Sequence, residues 1–339
     1  MTKKICISGY YGFDNFGDET ILKILVENIK KFESSPEITV FSSNPNKTSN
    51  DLSVNSLYSF NLKDIIKSII KSDCLISGGG SLLQDVTSCK SLIYYLGILI
   101  LAQIFNKKTI IFAQGIGPIK NKKLEKLTSI ILKKASYVTV RDDRSLDLLN
   151  NWGINAIKCS DPVWNIKIPQ KKEKNKIGIQ LRACANINEE FIKKLAENIN
   201  KYYSTKDIQI LSLQNKLDLD ISNQLKSILL QINPSLNVNI IENTSNEKII
   251  EDITNLDALI AMRFHACLIA IKSNVKLLPI NYDIKVEELA KEFNLETIDL
   301  DKNEKIEEIF KEFSQTNILY DKNIIDSHTF NFKALESII

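Results

Sequence analysis

The chain has 339 residues, 44% apolar and 25% charged, with a formal net charge of +3. That length suits about two domains with full-sized cores, and so small a net charge argues against a nucleic-acid-binding stripe. The six cysteines are scattered, with no Cys-x-x-Cys pair and no zinc-like Cys/His spacing, so they read as reduced, buried small hydrophobes of a cytosolic protein.

The sequence enters a strand at once in "KICISG" (4–9), with no signal-peptide pattern before it. A Gly-spaced loop, "GYYGFDNFGDE" (9–19), feeds a helix over 18–32 that places Ile21, Leu22, Leu25, Val26 and Ile29 on one face. Further strands follow at 38–43, at "CLISGGG" (74–80, the third in this series), at "TIIFAQGIG" (109–117) and at "YVTVRDD" (137–143). The apolar run "SLIYYLGILILAQIF" (91–105) is shorter than the roughly 20 residues of a membrane span. It reads as a buried helix, with a membrane-facing helix as the alternative.

"SDPVWNIKIPQKKEKNK" (160–176) carries Pro162, Pro169 and a lysine run and reads as an interdomain connection. A second series of strands follows at 176–181, 208–213, 237–241, 258–262 and 276–280, with helices between. Two such series predict an α/β protein of two doubly wound, Rossmann-like domains facing a cleft, residues 1–165 and 175–305. A polar helical tail, 306–339, is expected to pack back on the first. The lysine clusters at 120–126 and 171–176 read as solvated surface, with attraction to an anionic membrane as the second reading.

In open parallel sheets, ligands bind beyond the carboxyl ends of the strands, and the informative residues fall there. Gly78, Gly79 and Gly80 close one strand and read either as a tight turn or as an anion or sugar cradle. "AQGIGP" repeats the design with Gln114 and Gly115. Asp18 is either a helix cap or a base for an acceptor hydroxyl. The chain has only four arginines, against forty lysines. Arg141 and Arg182 each follow a strand directly, where a planar fork grips a carboxylate or phosphate better than an ammonium does; a structural pairing is the other reading of Arg182. In "AMRFHACLIAI" (261–271) a strand ends at Met262 and a helix starts near Phe264, so Arg263 and His265 emerge at the turn. Together they suit an anionic ligand that also needs a proton, with Arg263 paired to the ligand rather than buried; a capping histidine with a surface arginine is the other reading. Tyr282, Asp283 and Lys285 follow the next strand, and Lys285 completes a cationic site. No cluster of metal ligands stands out.

The motifs "GYYGFDNFGDE", "ISGGGSLLQDVTSCKSLIYYL", "AQGIGPI", "VRDDRSLDLL", "DPVW" and "AMRFHACLIAI…YDIKV" resemble, in order from Gly9 to about Leu289, the polysaccharide pyruvyl transferases, and most closely their bacterial cell-wall (CsaB-type) branch. The resemblance implies a GT-B-like fold and transfer of the pyruvyl group of phosphoenolpyruvate onto a sugar as a cyclic ketal, with release of phosphate. It implies a lipid-linked saccharide acceptor, typically carrying N-acetylmannosamine, made at the cytoplasmic face and used to anchor surface-layer proteins. It implies no cofactor or metal, and allows a peripheral membrane contact. Carried over by motif, the donor site would comprise Arg141, Arg263, His265 and Lys285. His265 would be the general acid and Asp18 the base; Gly78–Gly80, Gln114, Gly115, Arg182 and Tyr282 would serve the acceptor or its loops. Phe264 stands where the family commonly has leucine, and Ala183 and Cys184 lie near a position often aromatic.

Overall fold

A computed structural model describes residues 2–86, 88–172, 175–184, 186–300, 305–336 and 339. The chain divides into two α/β units, Met1–Ile166 with His328–Ile339, and Lys167–Ser327.

The first unit runs β1 (Lys4–Ser8), α1 (Phe16–Phe32), β2 (Glu37–Ser42), α2 (Pro45–Leu52), β3 (Asn55–Tyr58), α3 (Leu62–Lys71), β4 (Cys74–Ser77), α4 (Cys89–Ile104), β5 (Lys108–Gln114), α5 (Lys122–Leu132), β6 (Tyr137–Val140), α6 (Asp143–Asn151) and β7 (Ile157–Lys158), then a 3-10 turn at Pro162–Asn165. Its seven strands are parallel in the order β3-β2-β1-β4-β5-β6-β7. The order reverses between β1 and β4, which makes the ends of those strands the switch point where such sheets bind ligands. The central strands are buried on both faces, which is why they read as continuous apolar runs rather than alternating ones.

The second unit runs β8 (Lys176–Gln180), α7 (Glu189–Tyr203), β9 (Asp207–Ser212), α8 (Asn215–Ile232), β10 (Val238–Glu242), α9 (Asn246–Thr254), β11 (Ala258–Ala261), α10 (Phe264–Lys272), β12 (Lys276–Asn281), α11 (Ile284–Glu292), β13 (Ile298–Asp299), α12 (Ile306–Gln315) and α13 (Lys322–Ser327). Its strand order, β10-β9-β8-β11-β12-β13, repeats the plan, with the switch point between β8 and β11. Phe191, Leu195 and Ile199 of α7 pack with Ile179, Ile210, Leu225 and Phe310 in one core. Each such fully buried side chain stabilises the fold by about 1.5–3 kcal/mol. A short helix, α14 (Lys333–Glu336), closes the chain in the first unit.

Several helices begin on an asparagine whose side chain accepts a hydrogen bond from the first turn: Asn15, Asn44, Asn61, Asn121 and Asn188. This satisfies amide donors that the helix leaves open. The cap of α1 is therefore Asn15, and the capping reading of Asp18 is corrected: Asp18 is the third residue of the helix, within its first turn. A further correction is β3, which makes "CLIS" the fourth strand. The β3 segment is short, sits at the sheet edge and is half-exposed, so its sequence carries no apolar run. The run at 91–105 does form a helix, α4, but it is not buried all round: Leu92, Leu96 and Leu99 face the core while Ile93 and Ile104 are exposed. Cys89, at its start, is exposed too, unlike the buried Cys6, Cys74 and Cys267.

The polar tail divides. In the second unit, Phe310 and Phe313 of α12 enter the core, whereas His328–Ile339 belongs to the first. There Phe330 and Phe332 pack on Phe112 of β5, and Asn165 bonds both the amide and the carbonyl of Phe330.

Candidate functional site

At the switch point of the first unit, the loop after β1 doubles back over the sheet. Tyr11 is fully buried, its ring lying so close that a Cβ on Gly9 would come within 2.3 Å of it and one on Gly78 within 1.8 Å of its hydroxyl. Gly80 has φ +99°, and a Cβ there would lie 2.6 Å from Oδ1 of Asp18. A Cβ on Gly79 would press on Ile21, and one on Gly115 on Ser81 and Asp142. Packing thus accounts for each glycine of the triple. Gln114 is fully buried, with Nε2 donating to Ser77 Oγ (2.8 Å) and to the carbonyl of Gly78 (2.7 Å), so it braces β5 against β4.

Asp18 is half-buried beside Gly80. Its neighbour Glu19 has no counterpart in the sequence reading. Glu19 accepts from the amide of Gly12 at 2.7 Å. Burial, with help from Asp18, pushes its carboxyl up to about 7, against the lowering pull of the Gly12 bond. Arg141 is tied down within the unit: Nη1 lies 2.5 Å from Asp161 and Nη2 donates to Ser81. Asp161 also caps the 3-10 turn through Val163. Both partners are nearly inaccessible, so this is a buried pair that fixes the ends of β6 and the turn.

The second unit gathers the other residues at the carboxyl ends of four adjacent strands. The order β9-β8-β11-β12 sets Gln214, Gln180 with Arg182, Arg263 with His265, and Tyr282 with Lys285 side by side. Arg263 forms the backbone cap position of α10. It is 8% exposed, and its fork is bidentate on the fully buried carboxylate of Asp218, with Nε at 2.9 Å and Nη2 at 2.6 Å. Nη2 also donates to Gln214, and the Arg263 amide donates to Gln180 Oε1 at 2.8 Å. The expectation that Arg263 is unburied and matched only by a ligand is corrected: its counter-ion is internal. Asp218 further accepts the amides of Leu213 and Gln214 at the start of α8. One carboxylate thereby locks the end of β9, the start of α8 and the turn carrying His265.

His265 occupies the first turn of α10, half-buried, its ring edge-on to Phe264 at 5.1 Å. Arg182 follows β8, its guanidinium 5.9 Å from the ring centroid of Tyr282. Burial raises the Tyr282 phenol above its ordinary range, opposed by the charge of Arg182. Lys285 lies in the first turn of α11 behind the capping Asp283. The carboxyl ends of β8, β11 and β12 thus carry two guanidinium groups, an imidazole and an ammonium, the Arg263 guanidinium already paired with Asp218.

Among the described residues, no group of three or more His, Cys, Asp or Glu gathers to hold a metal ion, and no helix is long and apolar enough to cross a membrane. Asp257 lies before β11, at the amino end of the sheet, with Lys206 and Asn175; Glu287 pairs with Lys291.

The fold is that of two-sheet α/β proteins of the GT-B kind. UDP-GlcNAc 2-epimerase from Methanocaldococcus jannaschii superposes with a TM-score of 0.67 at 13% identity, covering 98% of this chain and 97% of that one. MnaA of S. aureus, solved with UDP, gives 0.68 at 12% identity over 99% and 94%. Anabaena Alr3699/HepE, solved with UDP and glucose, gives 0.61 at 9% over 98% and 94%. At such identities the likeness speaks for the fold alone. The polysaccharide pyruvyl transferase family model matches residues 15–284, and the chain belongs to that family. No curated protein sequence matches it.

Proposed function

We propose that the protein transfers the pyruvyl group of phosphoenolpyruvate to a sugar diol as a cyclic ketal, and that it belongs to the bacterial cell-wall branch, with an N-acetylmannosamine unit of a lipid-linked precursor as acceptor. The observation that carries the reading is the cationic switch point of the second unit, in a chain of this family. The donor has a carboxylate and a phosphate. Arg182 and Lys285 supply cations for them, and Arg263, with Nε and Nη2 held by Asp218, offers Nη1. Arg141 remains a candidate donor contact, fixed by Asp161.

In the reaction the methylene carbon C3 takes a proton, so that C2 becomes an oxocarbenium-like electrophile. One sugar hydroxyl bonds to C2, the bond from C2 to the phosphate oxygen breaks, and a second hydroxyl closes the ring. Of the two hydroxyl protons released, one balances the proton gained by C3 and the other leaves with phosphate. His265 is the proposed acid for C3 or for the departing phosphate, since it stands in the first turn of α10 beside Arg263. Asp18 is the proposed base of the first unit, and Tyr282 orients the acceptor side.

The test is phosphate release from phosphoenolpyruvate with an aryl β-N-acetylmannosaminide acceptor. His265→Ala is expected to lose most turnover, about 100-fold or more. Wild-type turnover in that variant would remove His265 from the chemistry, and stabilisation by UDP-sugars but not phosphoenolpyruvate would replace the reading with a nucleotide-sugar transferase.

A further inference from the structure

The outer side of α4 is apolar where a surface helix is ordinarily polar. Ile93, Gly97, Ile100 and Ile104 follow one another at spacings of four, three and four, which puts them on one helix face. Ile93 is 53% and Ile104 65% exposed, and a Cβ on Gly97 would meet nothing within 4 Å. The neighbours extend the surface. α4 packs between α3 and α5, held by Tyr94 Oη on the carbonyl of Ser59 and by Gln103 Nε2 on the carbonyl of Ile131. Phe60, whose ring lies 5.8 Å from Tyr94, is 58% exposed, and Leu62 of α3 and Ile130 of α5 are exposed as well.

The charge on this layer is as one-sided as its hydrophobicity. Residues 61–136, from α3 through the turn after α5, contain twelve lysines and four carboxylates, a net +8 in a chain whose total is +3. The rest of the chain is therefore at −5. Lys63, Lys67, Lys122, Lys123 and Lys126 are exposed; Lys122 leans on Glu125 and Lys67 on Asp64. Apolar side chains flanked by flexible ammonium groups match the interface of an anionic bilayer, where hydrocarbon takes the former and lipid phosphates the latter. A second copy of the chain fits poorly, because the three helices carry seven lysines against two carboxylates, and a two-fold contact would set that net +5 against itself.

We propose that the α3–α4–α5 layer of the first unit docks the protein on an anionic phospholipid surface, with Ile93 and Ile104 entering the headgroup region and the lysines of α3 and α5 meeting lipid phosphates. This surface is independent of the transferase reading. Loss of vesicle binding with normal turnover on a water-soluble acceptor speaks against the surface alone, and absent turnover with intact vesicle binding speaks against the chemistry alone.

The test is cosedimentation of the full-length protein with vesicles of phosphatidylcholine, with or without about a third phosphatidylglycerol. Binding is expected on the anionic vesicles only, and it should weaken as salt is raised. Ile93→Ser/Ile104→Ser and Lys122→Glu/Lys123→Glu/Lys126→Glu should each bind at least about tenfold more weakly with unchanged thermal unfolding, since all these positions are exposed. Lys193→Glu/Lys216→Glu, on α7 and α8, should bind like the wild type. The proposal is overturned by equal partition onto both vesicle types, by wild-type binding in both α4 and α5 variants, by an equal loss in the α7/α8 control, or by a lipid-free dimer that Ile93→Ser/Ile104→Ser splits.

Discussion

At the scale of single residues, the second unit turns on Asp218. A buried carboxylate that grips an arginine fork and two backbone amides is costly to break and inexpensive to replace whole. Asp218→Ala leaves the Arg263 guanidinium buried without its counter-ion, and should cost about 3–5 kcal/mol in urea unfolding. The double variant Asp218→Leu/Arg263→Met should recover most of that stability while phosphate release stays lost. Recovery of turnover along with stability would show that the pair serves the fold only. Glu19 makes a different prediction. Its native carboxyl titrates near 7, whereas the unfolded chain holds the proton only below about 4.5. Between those values the native state binds more protons than the unfolded one, so stability falls as pH rises through the window. Glu19→Gln, which keeps an acceptor for the Gly12 amide, should abolish that fall. Denaturation midpoints that run parallel for variant and wild type from pH 4.5 to 7 would refute it.

At the scale of elements, the strand-to-helix turns were the most legible feature, and legible for a physical reason. A parallel strand buried on both faces must be an apolar run, and the loop that leaves it must be small or polar, so "GGG", "QG" and "RFH" announce their own positions. What each turn residue touches was not legible. Asp218 and Asp220 look alike in sequence, two carboxylates on an amphipathic helix, yet the first is fully buried and the second exposed. Only the meeting of β9 with β8 and β11 separates them. Nor does the spacing of the glycines show what each makes room for: Gly78 lies against Tyr11, Gly79 against Ile21 and Gly80 against Asp18. The first of these contacts is testable. Gly78→Ala drives a methyl into the Tyr11 hydroxyl and should destabilise by about 1–3 kcal/mol, as overpacking does. The Tyr11 hydroxyl is buried with no partner among the described residues, so Tyr11→Phe alone should be neutral or mildly stabilising. In the Tyr11→Phe background the cost of Gly78→Ala should shrink. A strictly additive double-mutant cycle would mean the clash is relieved elsewhere.

At the scale of the whole molecule, two alternating series of strands and helices predicted two sheets because each βαβ crossover can return to its sheet on one hand only. Both strand orders are those of doubly wound parallel sheets. The path of the tail did not follow from pattern, because an amphipathic helix such as α12 shows which face it buries but not which sheet receives it. The structure gives α12 to the second core and returns only the last twelve residues, His328–Ile339, to the first. Those residues contribute more than an end. Phe330 is 5% exposed, packs with its ring tilted against Phe112 of β5 and is clamped by Asn165, while His328 stacks on Trp164 at 4.6 Å. The first unit is therefore complete only when His328–Ile339 has joined it. Removing residues 328–339 should uncover Phe112 and release the Pro162–Asn165 turn, and hydrogen exchange is the measurement that localises the effect. Amides of β5 and of that turn should lose protection, with those of β8 and β11 unchanged. Phe330→Ala should reproduce the pattern in weaker form, at about 3–5 kcal/mol for a buried phenylalanine. Uniform loss across both sheets would mean that the units unfold as one, and unchanged β5 protection would show that the tail merely rests on the surface it covers.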